Sequence, residues 1–300
     1  MHWLSLGMLL SLPVPIIAPL LRRRNACQWT VVWNFGIFLA MSGAELTGGL
    51  YDELVLDLGF DTRRLGETAQ WYRALSAMYV HAGALHILMN MLILMLIGVP
   101  FEDRIGTPKW LAIYLFSGVI GSLVDAGFSL ASGSRHVGVG ASGAIFGVMG
   151  AFAVLYPRDE IPMVLGVVFL QRVPVFAAVF VMALLETLYL VAATRDNIGH
   201  LVHVASLVAG VTLALPLSRA GLKMERKGRE LDPTALAELA INEEMAELVR
   251  RVVSEDVPEV RAAWMEKLIM RARCPRCRRA LTHARGRFHC SCGFKLEYMK

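Results

Sequence analysis

The sequence predicts an all-α, polytopic membrane protein that ends in a small soluble tail. Three observations carry that prediction. The 300 residues are 56% hydrophobic and only 18% charged, with a mean hydropathy of +0.52; soluble domains average about 45–50% apolar and about 25% charged. Charge is segregated, since residues 219–300 hold 18 of the 30 Lys and Arg and 12 of the 25 Asp and Glu. Four of the five cysteines also lie in the last 27 residues. A soluble globular enzyme throughout is excluded, and so is a disordered chain.

Seven apolar stretches approach the ~20 residues needed to cross a bilayer: approximately 3–21, 26–44, 78–100, 110–130, 140–156, 173–194 and 198–217. The first carries Pro13, Pro15 and Pro19; its alternative reading is a signal peptide, disfavoured because no basic region precedes it and no small-residue cleavage site follows. The last two are separated by Arg195-Asp196-Asn197. Short-loop basic residues set the orientation. Arg22–Arg24, Arg104 with Lys109, Arg158, and the run Arg219 to Arg229 all fall on one side if each stretch crosses once. That side is expected to be cytoplasmic, with the N-terminus and residues 45–77 outside. Arg63, Arg64 and Arg73 then lie outside against the rule and are outvoted by the other loops.

Beyond Leu217 the pattern turns soluble. Asp232-Pro233 has the form of an N-cap followed by proline at the first helical position. A helix over roughly 233–253 is expected from the one-sided spacing of Leu236, Leu239, Met245, Leu248 and Val249, and a second over about 258–272. The expected division is therefore an extra span over 1–25, a membrane core over 26–218, a cytoplasmic helical linker over 219–272 and a cysteine-rich domain over 273–300.

Polar groups inside spans are costly, so each is a candidate for function. The third span contains His81, His86 and Asn90; the fifth opens Gly138-Val-Gly140-Ala-Ser142-Gly143-Ala-Ile-Phe146-Gly147; the sixth holds Glu186; the seventh holds His200 and His203. Ser142, flanked by Gly140 and Gly143, sits where a helix begins and unpaired amides can face an oxyanion. A histidine on a facing helix could take its proton. Glu186 is expected to make only a structural hydrogen bond within the bundle.

Together these motifs resemble the rhomboid family of intramembrane serine proteases. The matching elements, in family order over roughly 26–217, are Trp71-Tyr72-Arg73, His81, His86-Ile-Leu-Met-Asn90, Gly98 with Glu102, the Gly140–Gly147 segment and the His203 helix. The resemblance implies a six-helix core, here with one additional N-terminal span, and a Ser–His dyad without an aspartate. Ser142 would be the nucleophile. His203 fits the base better than His200, because Ser206 and Gly210 then supply the small residues expected three and seven positions later; His200 would be accessory. His86, Asn90 and the Ser142 amide match the oxyanion stabilisers, and Phe146 the aromatic that packs on the histidine. Trp71-Tyr72-Arg73 resembles a loop motif that lies partly in the outer leaflet, which implies that the arginines of that loop snorkel to the headgroups. No cofactor is implied for catalysis. The implied reaction is hydrolysis of a peptide bond in or near another protein's transmembrane helix. The rival reading is a catalytically silent relative that binds membrane clients, with the tail as a docking module; its mark, a lost serine or histidine, is missing.

In the tail, Cys274-Pro-Arg-Cys277 and Cys290-Ser-Cys292-Gly293 form two close thiol pairs. At this spacing they read as a structural zinc site resembling a zinc ribbon, rather than a disulfide framework. The second pair has one intervening residue instead of two, which leaves His283 or His289 as alternative ligands. The surrounding arginines have few aromatics between them, so no nucleic-acid partner is expected; anionic lipid or a cytoplasmic protein partner is. The expected location is a bacterial inner membrane, with transmembrane proteins as substrates and the bilayer as surroundings.

Overall fold

The computed structural model describes residues 1–22, 25–165, 168–192, 199–219, 231–255, 258–284 and 287–298. The chain forms two compact units, Met1–Leu222 and Lys223–Lys300. The turn expected at 195–197, the basic run 223–229, and Arg23, Arg24, Asp256 and Arg285 lie outside the described residues.

In the first unit the expected span 3–21 is two helices, α1 (Trp3–Ser11) and α2 (Val14–Arg22). The break falls at Pro13, which has no amide to continue the ladder. α3 (Ala26–Gly48) ends on Gly49 in the left-handed conformation, φ 63°. α4 (Tyr51–Leu58) and the short strand β1 (Phe60–Asp61) follow. Asp57 of α4 accepts from the His2 amide at 2.6 Å and from Ser5 Oγ at 2.8 Å, which ties α1 down. α5 (Arg73–Ser76) leads toward α6 (Ala84–Ile93), which continues through a π-turn, Leu94–Gly98, into α7 (Val99–Ile105). Then come α8 (Thr107–Ser132), strand β2 (Val137–Gly138), α9 (Ser142–Leu155), strands β3 (Glu160–Leu165) and β4 (Val168–Pro174), α10 (Val175–Val191) and α11 (His200–Arg219).

Four stretches among the described residues are long and apolar enough to cross a membrane: Trp3–Leu21, Ala84–Ile105, Thr107–Ser132 and His200–Leu217. α3 has the length but is interrupted by Gln28, Asn34 and Glu45. α9 and α10 are apolar but shorter. At 1.5 Å per residue the 14 residues of α9 span roughly 21 Å, less than the ~30 Å hydrocarbon layer. Every residue from Gly143 to Phe152 is buried, so α9 is enclosed by its neighbours. Its apolar side chains, with Phe101, Trp110 and Tyr114, form the centre of the core.

The third span departs from expectation. Helix begins at Ala84, not near 78; a 3₁₀ turn at Ala77–Tyr79 and an extended stretch precede it, so His81 lies before the span. Arg63, Arg64 and Arg73 are also held differently from the snorkelling expectation. Arg63 makes a two-pronged contact with Asp61 at 2.7 and 2.8 Å, which holds that carboxyl below the usual carboxylate range. Arg64 pairs with Glu67 at 3.0 and 2.8 Å. Arg73 is buried, donating to Gln70 Oε1 at 2.7 Å and to the carbonyls of Gly59 and Leu56. Each finds its counter-charge or acceptor inside the loop. The antiparallel β3–β4 hairpin between α9 and α10 has no counterpart in the sequence reading.

Glu102 explains one family-like motif architecturally. Its carboxylate accepts from the Ala26 and Cys27 amides, both at 2.7 Å, capping α3, and from Thr107 Oγ1 at 2.6 Å. Gly98 lies where a Cβ would stand 2.7 Å from Cys27 Sγ.

The tail unit has its own core, built on Leu236, Val252, Leu268, Phe288 and Tyr298. The single helix expected over 233–253 is two, α12 (Pro233–Ala237) and α13 (Glu243–Ser254). Asn242 restarts the helix: its Oδ1 accepts from the Met245 amide at 2.9 Å, and Glu243 and Glu244 occupy the first turn. α14 (Pro258–Arg271) precedes a three-stranded sheet of β5 (Thr282–Ala284), β6 (Arg287–His289) and β7 (Lys295–Glu297).

Candidate active site

Ser142 is the first residue of α9, and the segment leading to it is held from three directions. β2 pairs with β1 in the register Phe60↔Gly138. The Gly140 amide donates to Ala77 O at 2.9 Å. His136 Nε2 lies 2.8 Å from Asp125 Oδ2. Gly140 has φ 120°, a region L side chains avoid, and a Cβ there would stand 2.8 Å from the His86 ring. Glycine is therefore required both by the turn and by the histidine that lies against it.

α11 brings a histidine to this point. His203 Nε2 is 2.7 Å from Ser142 Oγ, across 61 residues of sequence. The Phe146 ring stacks on His203 at 4.5 Å between centroids and 13° between planes. The pairing follows from how closely α9 and α11 approach. A Cβ on Gly143 would meet Ser206 Oγ at 3.1 Å, one on Gly150 would run into the Leu207 backbone, and one on Gly210 would run into the Gly147 backbone. Ser206 and Gly210, the residues that set the register in the sequence, thus lie where the two helices touch.

His200 is one turn from His203 and faces elsewhere: its Nδ1 is 2.6 Å from Glu186 Oε2, and its ring stacks on Tyr189. The same Glu186 oxygen is 3.1 Å from His203 Nδ1. Sequence reasoning singled out Glu186 as a costly group in an apolar span; its pairing with both histidines emerges only from α10 and α11 lying together. The donor atoms of Glu186, His200 and His203 lie within 4.8 Å of one another. The carboxylate thus lies at hydrogen-bond distance from His200 and at ion-pair distance from His203.

His86 and Asn90 occupy one face of α6, a turn apart. His86 Nδ1 is 3.3 Å from the Ala82 amide, and its ring lies against Gly140, next to the serine. Asn90 is buried, and its Nδ2 donates to His86 O at 2.8 Å, so one of its amide hydrogens is engaged within the helix. His81, outside the span, accepts from the Ala141 amide through Nε2 at 3.5 Å. Trp71 is exposed, while Tyr72 donates to Asp57 O at 2.9 Å.

In the tail, Cys274 Sγ is 3.5 Å from Cys292 Sγ, and Cys277 Sγ is 3.4 Å from Cys290 Sγ. All four sulfurs lie within 4.8 Å of one another and could hold a metal ion. Tetrahedral thiolates at Zn–S ≈ 2.3 Å stand about 3.8 Å apart, close to these separations. Arg278 (φ 62°) and Gly293 (φ 89°) make the tight turns that fold each pair inward. His283, one alternative ligand, is instead 2.7 Å from the Tyr298 hydroxyl.

Comparison with known proteins gives this arrangement a family. A family model described as "Rhomboid domain" matches residues 68–220. "RHOMBOID-like protein 5" of Arabidopsis thaliana is 44% identical over 94 residues, 31% of this chain and 30% of that protein. "Rhomboid protease GluP" of Bacillus subtilis (strain 168) is 34% identical over 108 residues, 36% of this chain and 20% of the relative. "Rhomboid-type serine protease 2" of Emericella nidulans is 30% identical over 171 residues, 54% of this chain and 29% of that protein. The chain thus spans less than a third of the length of these relatives. The matched region contains the serine helix, the histidine helix and the Gly-mediated contact between them, and with just over half the sequence inside the family model, the chain belongs to the rhomboid family.

Proposed function

We propose that this multi-pass membrane protein is an intramembrane serine protease that cuts other proteins in or near their transmembrane helices. The observation that carries the reading is the 2.7 Å approach of His203 Nε2 to Ser142 Oγ. His203 is buried and Ser142 half-buried at the start of an apolar helix, where an unemployed serine–histidine pair would be a cost. Two relatives bearing protease names support it.

His203 takes the Ser142 proton as Oγ attacks the substrate carbonyl carbon. The tetrahedral oxyanion is held by the Ser142 amide at the start of α9, with His86 and Asn90 as further donors. His203 passes the proton to the leaving amine. Water, deprotonated by the same imidazole, then releases the acyl-enzyme. Phe146 holds the ring plane throughout. Gly140 and Gly143 keep the approach to Ser142 clear, and His200 has an accessory role.

The same reading assigns 1–25 to an additional span, 26–218 to the protease core, 219–272 to a helical linker and 273–300 to a zinc ribbon. It places the tail on the cytoplasmic side of a bacterial inner membrane, available to a protein partner. Cys274, Cys277, Cys290 and Cys292 would hold a structural zinc that adds folding energy to a small domain.

The test is serine-directed fluorophosphonate labelling and cleavage of a single-span substrate by detergent-purified protein. Ser142→Ala and His203→Ala should abolish both, and His200→Ala should retain measurable activity. Undiminished cleavage by Ser142→Ala, or a folded wild type inert to both reagents, would refute the proposal.

A further inference from the structure

We infer that Glu186 is a positioning residue for His203, a carboxylate standing behind the Ser–His dyad that family resemblance implies. The inference rests on the reading of Ser142 and His203 as nucleophile and base.

Glu186 is the sole acidic or basic side chain in α10, within an otherwise apolar helix. A carboxylate there costs several kcal/mol unless it is paired. Its Oε2 is held at 2.6 Å from His200 Nδ1 and stands 3.1 Å from His203 Nδ1. His203 Nδ1 is buried and has no aligned hydrogen-bond partner, so this oxygen, at ion-pair distance, is the acceptor on hand.

The chemistry of the imidazole favours such an acceptor. To accept the Ser142 proton, Nε2 must carry its lone pair, so the ring hydrogen must sit on Nδ1. A buried Nδ1–H without an acceptor favours neither that tautomer nor that ring orientation. When Nε2 takes the serine proton the ring becomes an imidazolium, and the Glu186 carboxylate 3.1 Å from Nδ1 is the opposite charge beside it. His200 completes the arrangement by fixing the carboxylate with the shorter bond. The Phe146 stack sets the ring plane, and Glu186 sets which edge of that plane faces the serine.

The test uses full-length protein and the inactivation kinetics of a fluorophosphonate, in which Ser142 Oγ bonds to phosphorus, fluoride leaves and the serine proton passes to His203. Glu186→Gln keeps the shape and removes the charge; Glu186→Asp keeps the charge on a shorter stem. Glu186→Gln should lower the limiting rate about 10- to 10²-fold, less than a dedicated buried triad acid because the contact is shared with His200. The half-saturating probe concentration and the thermal midpoint should stay near wild type, and Glu186→Asp should be the faster variant. A purely structural hydrogen bond predicts the reverse ranking. A wild-type limiting rate in Glu186→Gln would overturn the inference while leaving the Ser142–His203 reading intact, because Ser142→Ala and His203→Ala would still be dead. Histidine ¹⁵N spectra of the wild type add a test independent of any acid variant folding, with His203 identified by signal loss in His203→Ala. The expected form is Nδ1–H, and a predominant Nε2–H tautomer would overturn the inference. A folded wild type inert to the probe would overturn both readings.

Discussion

Replacing Gly210 by alanine should slow acylation of Ser142 about 10²-fold without touching any catalytic group. The built Cβ of residue 210 falls 2.6 Å from the Gly147 carbonyl carbon and 2.8 Å from Gly147 Cα. Carbon atoms in favourable contact stand about 3.5–4.0 Å apart, and the Gly147 carbonyl oxygen lies closer still, so α9 and α11 must separate by at least about 1 Å. No rotamer relieves the clash, because backbone meets backbone. Gly147 is five residues from Ser142 and Gly210 seven from His203, and each pair shares one helix, so the displacement is carried to a 2.7 Å contact. An opening of that size stretches Ser142–His203 past hydrogen-bond length, and a 1 Å misplacement of reacting groups costs on the order of 10² in rate. Overpacking should also remove about 1–3 kcal/mol of stability. The assay is the fluorophosphonate limiting rate with a parallel thermal melt. Gly127→Ala is the control: it lies in α8 with nothing within 4 Å of its Cβ. Alanine there should be neutral or stabilising by up to about 1 kcal/mol. A Gly210→Ala enzyme with the wild-type rate would refute the claim that the glycine contact sets the serine–histidine distance.

Two other outcomes follow from the structure. Elemental analysis should find one zinc per chain, removed in the Cys274→Ser, Cys277→Ser double variant, while a chain ending near Lys227 keeps its acylation rate because each unit has its own core; a zinc-free wild type would remove the metal assignment. His136, which precedes Ser142, has its pKa raised above 6.5, first by its hydrogen bond to Asp125. A raised folded-state value means that its contribution to stability is complete below about pH 6.5 and is lost as pH rises through the folded value. The thermal midpoint of wild type minus that of Asp125→Asn should therefore be largest in mild acid and shrink toward alkaline pH; a difference flat with pH would contradict the pairing.

Much of the architecture was legible before any coordinates, because a bilayer-sized apolar run and a segregated charged tail are local properties of sequence. The glycines near Ser142 were legible as well, because residues that must let backbones touch are limited to a few types, and the resemblance to the rhomboid family pointed to the small residues after His203. Capping and loop chemistry were harder. Asn242 restarts a helix inside a pattern whose apolar periodicity runs on unbroken, and the β3–β4 hairpin lies between two apolar stretches, where the sequence reading saw only a connection. Arg73 looked like a headgroup ligand because its acceptors, the carbonyls of Leu56 and Gly59, are backbone atoms with no signature in the sequence.

The sequence by itself determined the class of the protein, the two-unit layout, the serine and histidines to consider and the four clustered thiols. Tertiary structure alone decided how closely His203 approaches the serine, that His81 lies outside its span, and that one Glu186 oxygen lies beside both histidines of α11. The reason is physical. Hydropathy and glycine placement act over one or two helical turns, and the composition of each segment expresses them directly. A hydrogen bond between residues 61 positions apart exists only because two helices approach closely enough for their side chains to share a proton.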